Sequence, residues 1–169
     1  MNKIREIRIF LKVLFLVVVF VSCSKHQDFV VINKSFDNEE WERFEYLNGK
    51  IEIADAASKY DIVMEVVVSD TYPSYYENHQ KDGDLPFNMT IINPDNSGSR
   101  SRDYNFKLKD KEGNWKSDKR NGYYTFRLPV ISEMTFSDDG VYEVKIENKY
   151  HRDPLAGIKS LKIECVSLK

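Results

Sequence analysis

Alternation of apolar and polar residues dominates this chain from about residue 29 onward, and it admits little besides β-structure. Tyr142, Val144 and Ile146 alternate with Glu143, Lys145 and Glu147, so an extended chain there has one apolar and one charged face. The same period aligns Tyr60, Ile62, Met64, Val66 and Val68; Phe87, Met89 and Ile91; Tyr104, Phe106 and Leu108; Tyr124, Phe126, Leu128 and Val130; and Leu161, Ile163 and Cys165. Phe29–Ile32 and Lys50–Ile53 are shorter candidates. The run from Asp61 to Ser69 is almost continuously apolar, which predicts a central strand. Turn chemistry separates the segments: Asn93-Pro94-Asp95-Asn96-Ser97-Gly98, Asp110-Lys111-Glu112-Gly113-Asn114 and Ser137-Asp138-Asp139-Gly140. Seven or eight such strands predict an all-β fold, a two-sheet antiparallel β-sandwich that is immunoglobulin-like or jelly-roll-like. The longest irregular stretch is Asp70–Pro86, and Asn38–Phe44 reads as a helical turn or two, or as a loop leading into a strand.

A different pattern occupies the N-terminus. Lys3, Arg5, Arg8 and Lys12 precede an apolar run from Val13 to Val21, which ends at Ser22 and Cys23. A basic segment, a short apolar segment and a small residue before cysteine make an export signal of the bacterial lipoprotein kind. The run is far shorter than the roughly twenty residues that cross a bilayer. The expected organisation is a signal peptide over 1–22, a lipidated segment with the first strand region over 23–35, and a β-sandwich domain over 36–169. Acylation at Cys23 would tie the protein to a lipid bilayer and hold the loops of the sandwich near the membrane, where effective concentration favours partner contact. Removing residues 1–22 leaves 147 residues, takes away four basic residues and one acid, and moves the formal net charge from −2 to −5. A mildly acidic domain lacks the cationic surplus that nonspecific nucleic-acid binding requires.

With Cys23 acylated, Cys165 has no partner for a disulfide. Its place in phase with Leu161 and Ile163 predicts a buried, inert thiol. His26, His79 and His151 belong to no metal-ligand spacing, and neither a nucleophile elbow nor a phosphate-cradling glycine loop occurs. The expectation is therefore a non-enzymatic protein without metal or cofactor. Aromatic residues carry the remaining functional signal. Tyr72, Tyr75 and Tyr76 concentrate in the long loop around Pro73, where three uses stay open: packing back over a sheet edge, contact with a protein, or stacking on a sugar ring. Trp41 and Trp115 fit packing at the core or its rim.

Several of these residues together resemble one family. Phe36, Trp41 and Phe44, then Tyr60-Asp61-Ile62, then Tyr72-Pro73, then Asp110 to Trp115 follow in order. The most specific part is Gly140-Val141-Tyr142 followed by Arg152, Leu155, Gly157 and Ile158. In this the chain is similar to the gliding-motility lipoproteins of the GldH type from Bacteroidota. The resemblance implies an outer-membrane lipoprotein facing the periplasm, an accessory or structural component associated with gliding motility and type IX secretion, with no catalytic residue and no cofactor. Tyr72, Tyr75, Tyr76 and Arg152 are the candidate contacts for envelope protein partners. The alternative is a carbohydrate-binding envelope lipoprotein whose exposed aromatics hold glycan. Ser24-Lys25-His26-Gln27-Asp28 lacks a dense acidic run of the kind resembling surface-export signals, which favours the periplasmic side.

Overall fold

The structure is a computed structural model that describes residues 28–73 and 83–168. Its strands are β1 (Asp28–Ser35), β2 (Glu40–Trp41), β3 (Leu47–Ile53), β4 (Lys59–Ser69), β5 (Asp84–Ile92), β6 (Ser99–Lys107), β7 (Lys119–Arg120), β8 (Tyr123–Met134), β9 (Gly140–Asn148), β10 (Leu155–Ala156) and β11 (Ile158–Leu168). Every strand anticipated from the alternation is present, and no helix occurs among the described residues. Asn38–Phe44 is a turn and the short strand β2. Asp70–Pro86 is less extended as a loop than its composition suggested, because β5 already begins at Asp84. Pro86 is admitted there because pairing with β9 starts one residue later, at Phe87, so its missing N–H interrupts no bond on that side.

Three strands are only two residues long. The other eight lie in the order β1-β11-β4-β8 in one sheet and β3-β9-β5-β6 in the other. The pairs β5/β6, β4/β8, β3/β9 and β1/β11 are nested and antiparallel. The chain is thus one long hairpin, folded at residues 93–98 and rolled so that successive rungs fall in alternate sheets. That nesting is a jelly roll, which decides between the two sandwich types the alternation allowed.

The period-two faces meet between the sheets. Ile62, Met64, Val66 and Val68 of the central strand β4 are fully buried, opposed by Phe87, Val144 and Ile146. Burial of each such side chain stabilises the fold by about 1.5–3 kcal/mol. Cys165 joins this core, and burial pushes its thiol up to about 12, so it stays protonated and unreactive. The sandwich is closed along β1 and β3, where a Cβ on Gly49 would lie 2.2 Å from the Val31 carbonyl oxygen. Only glycine permits backbones to approach so closely. The opposite side, between β6 and β8, has no such closure among the described residues.

Across the outer face of the first sheet runs a charged ladder. Arg127 lies 2.6 Å from Glu164, Lys162 lies 3.0 Å from Glu164, and Lys162 reaches Glu65 at 3.8 Å. The hydrogen bond from Lys162, aided by that from Arg127, holds the Glu164 carboxyl below its ordinary value of 4.5. A carboxylate depressed in the folded state stabilises it fully above the unfolded value and loses that contribution as pH falls through the folded value. Denaturation measured against pH should therefore show stability declining below about pH 4.5, and Glu164→Gln should flatten that decline. Identical acid profiles for the two proteins would remove the ladder from the account.

Candidate functional site

Rolling the hairpin sorts its connections into two ends. The turns 54–58, 93–98 and 135–139 gather at one end, and the long connections 36–46, 108–122 and 149–157 at the other, together with residues 70–73 and 83. The long connections brace one another. The Arg43 guanidinium donates to the carbonyls of Tyr150 at 2.9 Å and His151 at 2.5 Å, while the Arg43 amide donates to Asp153 Oδ1 at 2.8 Å. β2 pairs with β10, and the Ser69 amide donates to the Gly157 carbonyl at 2.9 Å. Asp28 pairs with Val166, and Leu168 pairs with Lys59 beside the 54–58 turn. Both ends of the sandwich strands therefore lie at the short-turn end. The long loops stand a full strand length from Asp28, where β1 begins.

Tyr72 does not offer its ring to a partner. It is 1% exposed, its hydroxyl donates to the Asp84 carbonyl at 3.0 Å, and its ring meets Trp115 edge-on at 6.3 Å between centroids. Burial pushes its hydroxyl well above the ordinary range, so it remains a neutral donor. The packing use of Tyr72 prevails because its backbone is pressed against Gly157, where a Cβ would sit 2.2 Å from the Tyr72 nitrogen. Tyr75, Tyr76, His79, His26 and Cys23 lie outside the described residues. Arg152 is exposed in the 149–157 connection at the same end, beside half-buried His151. Trp41 is fully buried, and half-buried Trp115 stacks on Tyr124 at 4.4 Å with Lys109 Nζ 4.5 Å from its ring centroid.

Two carboxylates at this end, Glu39 and Asp70, tie loops together. Glu39, with a φ of 55°, accepts hydrogen bonds from Tyr123 at 2.7 Å and Ser69 at 2.8 Å, which keep its carboxyl below the ordinary value. Asp70 pairs with Lys119 and accepts from the Tyr124 hydroxyl at 3.1 Å; Lys119 is the larger cause of its lowered pKa. Among the described residues no three of His, Cys, Asp and Glu converge as a metal site. What the end does present is Phe44, 75% exposed at the tip of a turn held from below by Arg43. Sequence reasoning placed Phe44 in a motif without seeing its exposure, although Glu42, Arg43 and Glu45 around it are a surface composition.

A jelly-roll sandwich with one end made of braced, packed loops is the class of protein these features define. The chain belongs to the GldH lipoprotein family, whose model matches residues 30–164, from β1 into β11. Membership brings lipid-anchored association with a membrane and a link to gliding motility, and the family is not a known enzyme family. No curated protein is significantly similar to the chain.

Proposed function

We propose that this protein is an outer-membrane lipoprotein, acylated at Cys23 and facing the periplasm, that serves as a non-enzymatic accessory of the gliding-motility and type IX secretion machinery. The observation that carries the reading is the polarity of the roll. Four residues lie between Cys23 and Asp28, a reach of at most roughly 18 Å, whereas β1 alone spans about 27 Å over its eight residues. Anchored through that tether, the sandwich turns its short-turn end to the lipid and its braced loop end toward the periplasm. Phe44, Arg152 and the rim of Trp115 are then the surface offered to envelope protein partners, and the rigidity of the loops lowers the ordering cost of contact.

The Cys23→Ala variant should lose metabolic acyl labelling and leave the membrane fraction as a folded domain, because the apolar run alone is too short to span. A labelled, membrane-bound C23A product would overturn the anchor. In cells, a photocrosslinking residue at Glu112 in the loop end should capture motility or secretion components.

One observation favours carbohydrate binding as the second reading. A groove of about 450 Å³ on the outer face of the second sheet is lined by Asn48, Lys50, Ile92, Glu143 and Lys145. At its margin Lys145 Nζ lies 3.6 Å from the centroid of half-exposed Tyr46. Capture of polysaccharide on purified protein, abolished by Tyr46→Ala and accompanied by no protein crosslink from Glu112, would place this reading first.

A further inference from the structure

The open side of the sandwich carries a feature that the loop end does not use. On β6, Phe106, Tyr104, Arg102 and Arg100 stand opposite Leu85, Phe87, Met89 and Ile91 of β5, so all four face inward between the sheets. The first two continue the core, with the Tyr104 ring stacked on Phe87 at 5.3 Å. Halfway along the strand the inward face changes from aromatic to cationic. There the sheets part into a cavity of about 280 Å³, with Met89, Ile91 and Tyr104 on one wall, Val130 and Ile131 on the other, and Arg100 and Arg102 at the rim.

Neither arginine has a carboxylate partner among the described residues, whereas Lys59, Lys119, Arg127 and Lys162 each have one. Arg102 rests over the Tyr104 ring at 5.4 Å. The backbone beside them is unfinished as well. Among the described residues β6 ends its sheet, and β8 beyond Tyr124 has no further strand on that side, since β7 pairs only with Tyr123 and Tyr124. The outward face of β6 is already ordered: Asn88 donates to Asp103 at 2.7 Å, and Thr90 and Ser101 share a hydrogen bond at 3.0 Å.

We propose that this side is a strand-docking site for an extended acidic segment of an envelope partner. The segment adds to the free edge of β6 by main-chain hydrogen bonds, the mode of β-strand addition. Its inward positions recur every second residue. Two successive ones carry carboxylates that meet Arg100 and Arg102, and the next carries an apolar side chain against Tyr104. A second copy of this chain is disfavoured, because pairing two β6 edges brings arginine toward arginine, a common device against self-association. The inference rests on the reading that the protein acts through envelope partners, and it adds the chemistry of one of them.

The test uses the full-length lipoprotein in detergent and a labelled peptide of about twelve residues, alternating threonine with glutamate, glutamate and valine. A counterpart has lysine for glutamate. Binding of the glutamate peptide should slow hydrogen exchange over residues 99–107. Arg100→Glu with Arg102→Glu should weaken it at least tenfold without moving the melting temperature, since both side chains are exposed, and should transfer binding to the lysine peptide. No binding of the glutamate peptide at millimolar concentration, equal binding to the doubly substituted protein, or binding without slowed exchange over 99–107 would overturn the proposal. So would self-association of the protein giving that same slowed exchange, which assigns the edge to a second copy. Partners captured at Glu112 while the peptide fails to bind would remove this site and leave the proposed function standing; no partner at Glu112 would remove the function itself.

Discussion

Tyr72→Ala is expected to destabilise the domain by about 3–5 kcal/mol, the range for truncating a fully buried large aromatic. The ring fills space beside Trp115, and the hydroxyl supplies a hydrogen bond to the Asp84 carbonyl at the start of β5. At the size of this domain the loss corresponds to a fall in melting temperature of roughly 10 °C or more. Tyr72→Phe separates the two contributions, since it keeps the packing and costs only the hydrogen bond, about 1–2 kcal/mol. Thermal and urea denaturation of the two variants read the effect directly. A Tyr72→Ala protein as stable as the parent would mean that the ring is not part of the core. The same result bears on function: loss of partners on truncating Tyr72 reports a loosened loop end, whereas Phe44→Ala reports the surface itself.

A still larger effect is expected from Gly157→Ala. Gly157 has a φ of +73°, a conformation that costs an L-residue energy in itself. Its added Cβ would also stand 2.2 Å from the nitrogen and 2.5 Å from the Cα of Tyr72, and neither backbone atom can swing aside as a side chain would. Relief requires parting the 70–73 and 149–157 connections, which breaks the hydrogen bond that the Ser69 amide donates to the Gly157 carbonyl. The expected loss exceeds about 4 kcal/mol, a large part of the 5–15 kcal/mol that holds a domain folded. A urea midpoint lowered in proportion at unchanged slope is the supporting result. A midpoint equal to the parent's would show that the two connections are not in contact.

Gly157 and Tyr72 also show what composition left open at the loop end. Three tyrosines around a proline allow packing over a sheet edge or contact with a partner, and the first of them is packed, with its hydroxyl on the Asp84 carbonyl. The difference is made by residue 157, eighty-five positions away from Tyr72. The sequence carried a hint, in that Tyr72-Pro73 and Gly157-Ile158 both belonged to the family pattern. Glu39 repeats the lesson: its hydroxyl partners are at 69 and 123, and nothing in Asn38-Glu39-Glu40 foretells them.

By itself the sequence determined what depends on neighbours two residues apart. Side chains on a strand alternate faces, so Ile62, Met64, Val66 and Val68 declared a buried face, and Leu161, Ile163 and Cys165 declared another, before any partner strand was known. Turn residues marked where those strands end, and the order of motifs pointed to the family. Only the tertiary structure decided which strands adjoin, because each β-pairing joins segments that the local pattern treats as equivalent. From that nesting followed the jelly roll, the gathering of long loops opposite the N-terminal entry, and the burial of Tyr72. The inward aim of Arg100 and Arg102 followed as well. Ser-Arg-Ser-Arg reads locally as a solvated strand, and registry with Met89 and Ile91 across the sheet is what turns its arginines toward the cavity.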